Sequence, residues 1–277
     1  MSAHPPTDQP LGADAPRGTR PHDDPAGPGP DHTPAITGAG EPRHEAEGPP
    51  EPAAPRPGPL ALVGGGEFTD GCDFDRDLWE GAGRPPVVVL PTAAAYEHPQ
   101  RAVDTATRWF AGFGAEVRPA MVLGRADAAD PRWVDLVAGA RFVYLGGGSP
   151  LHLRSVLKDS PVWDALVAAW SAGATVAGSS AGAMVLCDPM VDPRGGALTL
   201  GLGLVRHLGV VAHAGSWSAG RLARTVDLAT GHLRIAAIDE RTALVRDPGG
   251  SWRRAGAGAV TVYVDGHPAG LEALGRD

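Results

Sequence analysis

From residue 60 onward the chain alternates short apolar runs with stretches in which apolar residues recur every three to four positions. Leu60-Ala61-Leu62-Val63, Val87-Val88-Val89-Leu90, Arg141-Phe142-Val143-Tyr144-Leu145 and Ala174-Thr175-Val176-Ala177-Gly178 are dominated by apolar residues at successive positions and end at glycine, proline or serine. Apolarity that is continuous rather than alternating marks strands covered on both faces, as in a parallel sheet. Glu116 to Val122 predicts a further strand, and Pro119, which has no amide hydrogen to donate, places it at an edge. Helical spacing covers Pro99 to Phe113 (through Val103, Ala106 and Phe110), Arg132 to Ala138, Pro150 to Leu157 and Val162 to Ser171 (Val162, Leu166, Val167, Trp170).

Beyond residue 178 the pattern predicts a turn over Ser179 to Ala183 and a helix opening at Ala183 and running to Leu186. A loop from Asp188 to Gly196 follows, then a strand Gly209 to Ala212 that reaches His213, a helix from Ser218 to Ala229, and a strand Ile235 to Ile238 that delivers Asp239 and Glu240. Thr242 to Val245 and Ala259 to Val264, with Gly249-Gly250 between them, read as antiparallel strands. Strands alternating with helices predict an α/β domain of three layers, doubly wound around a mostly parallel sheet, with antiparallel strands at the C-terminal end. Ligands of such sheets bind beyond the carboxyl ends of the strands. The glycine loops, the Ser179 to Ala183 turn, His213 and Glu240 all fall there.

Composition changes the picture only for the beginning of the chain. The first 59 residues hold 16 of the 28 prolines and no Phe, Trp or Tyr, with Met1, Leu11 and Ile36 their only large aliphatic residues. Such a segment buries too little apolar surface to offset the entropy of ordering its backbone. Residues 1–58 are therefore expected to be a disordered, Pro-rich acidic tail, and residues 59–277 the folded domain. The tail histidines, His4, His22, His32 and His44, lack the spacing of a metal site, and no metal or cofactor is expected. A net charge of −8 and a single lysine, Lys158, argue against a nucleic-acid surface. Cys72 and Cys187 are expected to be free structural thiols. With no membrane-length apolar run and no secretory leader pattern, the expectation is a cytoplasmic protein without a membrane partner.

Candidate chemistry centres on Gly178-Ser179-Ser180-Ala181-Gly182-Ala183, a serine among small residues between a strand and a helix. A sharp strand-to-helix turn that exposes a nucleophile requires such neighbours, because the backbone is strained and crowded there. The same residues also suit an ordinary tight βα turn. A serine hydroxyl needs a base, and the base needs an acceptor to hold its tautomer. His213 fits best, whereas His207, His232 and His267 read as surface residues in loops and turns. Glu240 or Asp239 is the natural third member, with Asp188 and Asp192 as competitors. Backbone N–H groups of Gly147, in the Gly146-Gly147-Gly148 loop, and of Ala181 are candidate oxyanion donors. Gly64-Gly65-Gly66 is a weak match to a nucleotide loop, and no nucleotide site is expected.

In order along residues 60–245, Gly64-Gly65-Gly66, Pro91-Thr92-Ala93-Ala94, Tyr144-Leu145-Gly146-Gly147-Gly148, Ser180-Ala181-Gly182-Ala183, Gly201-Leu202-Gly203-Leu204, His213 with Arg221-Leu222-Ala223-Arg224, and Ile238-Asp239-Glu240-Arg241-Thr242-Ala243-Leu244 resemble the cyanophycinase and aspartyl dipeptidase family of serine peptidases. That family's fold is related to class I glutamine amidotransferases and is flavodoxin-like. The resemblance implies a triad of Ser180, His213 and Glu240, an acyl-enzyme route, and an oxyanion held by Gly147 and Ala181. It departs from cyanophycinases at Gly148-Ser149, where they tend to carry Asn-Gln, and at Val211, where they carry Asp; both are positions at which substrate is recognised. The leading expectation is a serine exopeptidase or dipeptidase acting on small peptides, with a homodimer left open. The rivals are an amidase or acyltransferase on the same fold and a catalytically silent binding module.

Overall fold

A computed structural model describes residues 56–275. Most of the expected tail, residues 1–55, lies outside the described residues, as do residues 276 and 277. Five strands, β1 (Leu60–Val63), β2 (Val87–Leu90), β3 (Val117–Pro119), β4 (Phe142–Leu145) and β5 (Thr175–Ser179), run parallel in the order β1-β5-β4-β2-β3. The apolar runs become β1, β2, β4 and β5, each buried throughout, and β3 takes the edge that Pro119 permits.

Alternate residues of each strand face opposite ways, so one sheet feeds two cores. Ala61, Val63, Val87, Val89, Phe142 and Tyr144 pack against α1 (Phe74–Gly81) and α2 (Pro99–Ala111) through Phe74, Leu78 and Phe110. Leu60, Leu62, Val88, Leu90, Val143 and Leu145 pack against α3 (Pro131–Ala138), α4 (Pro150–Leu157), α5 (Pro161–Ser171) and α6 (Ala181–Leu186). The result is the expected three-layer α/β arrangement. Helices α2 to α5 open on a proline, which gives up an amide that would find no partner in a first turn anyway.

The C-terminal third departs from the expectation of a single sheet. The strand leading to His213, β6 (Leu208–Val211), and the strand leading to Glu240, β7 (Arg234–Ile238), pair in parallel within a second, four-stranded sheet. Next in the chain, β8 (Thr242–Arg246) returns to the main sheet antiparallel to β1, and β9 (Trp252–Gly256) pairs antiparallel with β8 across the Gly249-Gly250 turn. The second sheet is completed by β10 (Val260–Val264) and β11 (His267–Ala269). Thr242 to Val245 and Ala259 to Val264 thus lie in different sheets and do not pair with each other. Trp252-Arg253-Arg254-Ala255-Gly256 escaped the apolar-run criterion because β9 is an edge strand whose residues are half-buried or exposed.

One face of the second sheet, with Leu208, Val210, Ala236 and Ile238, joins the core that holds α6. Its other face, with Val211, Ile235 and Ala237, is covered by α7 (Ala219–Val226). Among the described residues no helix is long and apolar enough to cross a membrane.

Candidate active site

Ser180 stands between the end of β5 and the first residue of α6 with φ 50° and ψ −108°, a left-handed, strained position for a residue with a side chain. The strain is tolerated because the surroundings fix the backbone on both sides. The Ser180 N–H donates to the carbonyl of Val63 at 2.9 Å, extending the β1–β5 ladder by one residue. Gly178 and Gly182 admit the turn, since a Cβ on Gly178 would lie 2.7 Å from the Gly182 carbonyl carbon and one on Gly182 would lie 3.0 Å from the Cβ of Leu145.

His213 follows β6 in a left-handed conformation, φ 53° and ψ 38°. Its Nε2 lies 2.8 Å from Ser180 Oγ, and its Nδ1 lies 2.8 Å from Glu240 Oε1. The serine comes from the main sheet and the other two residues from the second, and the first glycine loop joins them. The Gly64 carbonyl accepts from the His213 N–H at 2.7 Å, the Gly64 N–H donates to the Thr242 carbonyl at 2.9 Å, and the Gly65 carbonyl accepts from the Arg241 N–H at 2.7 Å. A Cβ on Gly65 would fall 2.6 Å from His213 Nδ1, and one on Gly64 would fall 2.7 Å from the Ile238 carbonyl carbon. The loop that resembled a weak nucleotide motif is the seam between the two sheets.

The carboxylates left open by the sequence are separated by the fold. Glu240 reaches the imidazole, whereas Asp239 turns the other way and accepts from the Ala259 N–H at 3.0 Å. The guanidinium of Arg194 and, after it, the Arg194 backbone N–H donate to Asp192 and lower its pKa to about 2. Asp188 accepts from the Gly201 N–H at 2.9 Å. His207, His232 and His267 are exposed. Both cysteines are free and buried, and burial raises the Cys72 thiol to about 11.

The candidate oxyanion donors differ in state. The Ala181 N–H, in the first turn of α6, has no acceptor among the described residues, as expected of a helix start. The Gly147 N–H donates to Glu67 Oε1 at 3.1 Å, and Glu67 Oε2 accepts from Ser179 Oγ at 2.8 Å. Glu67 was not among the residues singled out from the sequence. The only local signal was its position directly after Gly64-Gly65-Gly66, at the end of a strand in a ligand-binding sheet edge. A cavity of about 290 Å³ opens beside it, lined by Glu67, Glu97, His98, Arg101, Gly146 and Gly147 among others. It lies where the connections from β2 and β4 diverge, the usual ligand position in an open α/β sheet.

Residues 60–250 match the model of peptidase family S51. The chain belongs to that family. Cyanophycinases of Synechococcus elongatus and Thermosynechococcus vestitus are each 28% identical to it over 160 residues, 53% of this chain and 49% of theirs. The chain thus aligns with about half the length of these curated relatives. The crystal structure of a peptidase from an acI-B1 Actinobacterium matches with a TM-score of 0.68 at 29% identity, covering 76% of this chain and 93% of that one. A putative peptidase E protein from Listeria monocytogenes EGD-e shares the fold, with a TM-score of 0.55 at 16% identity and coverage of 75% and 98%. Within family S51, this chain places a serine, a histidine and a glutamate in one hydrogen-bonded line at the seam of its two sheets.

Proposed function

We propose that the domain is a serine exopeptidase or dipeptidase that hydrolyses small peptides through an acyl-enzyme on Ser180. The observation that carries this reading is the unbroken line Ser180 Oγ, His213 Nε2, His213 Nδ1, Glu240 Oε1, with 2.8 Å at both links. In this reading His213 takes the Ser180 proton as the hydroxyl attacks the scissile carbonyl, and returns it to the leaving amine. Glu240 holds the imidazole in the tautomer whose Nε2 is free to accept, and stabilises the imidazolium. The Ala181 N–H, and the Gly147 N–H once Glu67 releases it, donate to the developing oxyanion, each good donor contributing about 3 kcal/mol to the transition state. Water then attacks the acyl-enzyme with His213 again as base. Membership of family S51, together with the two cyanophycinases among its relatives, supports peptide bonds as the target. A small peptide as partner and a cytoplasmic setting complete the reading.

The test is mass spectrometry after exposure to a fluorophosphonate, alongside a panel of dipeptides. A single adduct on the Ser180 peptide, absent in Ser180→Ala, and release of free amino acids are expected. A folded protein that takes up no label would overturn the reading.

A further inference from the structure

The carboxylate of Glu67 occupies an awkward place for the proposed chemistry. Its Oε1 accepts the Gly147 N–H that the oxyanion needs, and a negative charge beside a developing oxyanion raises the barrier. Nothing among the described residues neutralises it, since no Lys, Arg or His forms an ion pair with Glu67. Arg101 and His98 line the same cavity, but so does a second carboxylate, Glu97. Glu67 is nevertheless held firmly, because Oε2 is anchored by the buried hydroxyl of Ser179, next to the nucleophile.

The carboxylate is also close to the reacting centre. Glu67 Oε1 and Ser180 Cβ lie 3.0 Å and 3.5 Å from the same point beside the Gly147 Cα. In a peptide cleaved after its first residue, the α-ammonium nitrogen is about 2.5 Å from the scissile carbonyl carbon. A carbonyl seated for attack by Ser180 therefore brings that ammonium into the neighbourhood of Glu67.

We propose that Glu67 is the group that reads the free α-ammonium of the substrate. The ammonium draws Oε1 away from Gly147 while Ser179 keeps Oε2 in place, so the Gly147 N–H is released to the oxyanion as the charge of Glu67 is neutralised. Recognition of the free N-terminus then acts on the transition state as well as on binding. A peptide blocked at its N-terminus leaves the donor occupied and the carboxylate uncompensated. The inference rests on the peptidase reading above and adds to it the residue that makes the enzyme an N-terminal exopeptidase.

The experiment compares kcat and KM for aspartyl p-nitroanilide and N-acetyl-aspartyl p-nitroanilide with wild-type protein, Glu67→Gln and Glu67→Asp, with the fluorophosphonate labelling rate of Ser180 followed in parallel. Wild type should favour the free amine at least 100-fold in kcat/KM. Glu67→Gln should reduce that preference to tenfold or less, lose kcat on the free amine, and label several-fold faster because the carboxylate no longer opposes charge on the phosphonyl oxygen. Glu67→Asp, which keeps the charge, should retain the preference with a raised KM, an outcome that damage to the fold alone does not produce. An unchanged preference in a folded Glu67→Gln protein overturns the proposal. So does failure to turn over either anilide while Ser180 still labels, whereas failure to label points instead at the peptidase reading.

Discussion

The two halves of the candidate site are built to different standards of rigidity. On the Ser180 side, Ser179 and residues Ala181 to Leu186 are buried, and the Ser180 backbone is tied into the main sheet. On the His213 side, the side chains of His213 and Glu240 are 38% and 57% exposed, and backbone bonds to Gly64 and Gly65 hold the segment. Ser180 is thus set by packing that the whole core over-determines. His213 and Glu240 are set by a three-bond seam and keep their side chains open to solvent, which suits the proton transfers proposed for His213.

Ser180→Ala should reduce peptide turnover by about 10⁴-fold or more while leaving the melting temperature nearly unchanged. Loss of fold in that variant would mean that the hydroxyl itself supports the turn. Glu240→Gln should cost about 10²- to 10⁴-fold in kcat, because the amide does not favour the required tautomer. Asp239→Asn, at the neighbouring position, should leave kcat within a few-fold of wild type. Steady-state kinetics on the pair decides between the two carboxylates, and equal losses would dismiss the assignment of Glu240.

At the seam, Gly64→Ala should destabilise the domain by about 2–4 kcal/mol, since its methyl group meets the Ile238 backbone rather than a movable side chain. Gly65→Ala, whose methyl would meet the His213 ring, should lose activity in greater proportion than stability. Chemical denaturation alongside kinetics separates the two effects.

The smallest effect is expected beneath the site. Asp75 is fully buried, with Oδ2 bonded to Trp109 Nε1 at 3.0 Å and Oδ1 unpartnered. Burial raises its pKa well above the ordinary value. A carboxyl whose pKa is raised in the folded state contributes most below its unfolded pKa, and that contribution is lost as pH rises. Asp75→Asn should therefore raise the melting temperature at pH 7 by a few degrees and flatten its decline between pH 4 and pH 7. A parallel pH profile for the two proteins would show that Asp75 is not the group responsible.

Much of the main sheet could be read directly, because β1, β2, β4 and β5 are runs of successive apolar residues that only a doubly covered strand needs. The helix α1 was not recognised, since Phe74, Leu78 and Trp79 sit among Asp73, Asp75, Asp77 and Glu80 in a segment only eight residues long. The second sheet was not separable from the first, because β6 and β7 carry the same buried apolar signature as the main strands. Glu67 went unremarked for a related reason: its partners are Gly147 and Ser179, 80 and 112 residues away, and no local periodicity records such a contact.

The layered α/β architecture and the small-residue turn around Ser180 are legible in the chain without its fold. Burial on both faces and a strained turn are requirements that a few consecutive residues must meet on their own. That Glu240 rather than Asp239 meets His213, that Gly64 and Gly65 join two sheets, and that Glu67 covers the Gly147 amide emerge only once the chain is folded. Adjacent residues leaving a strand point to opposite sides, so which carboxylate faces the imidazole depends on the register and packing of segments far apart in the chain.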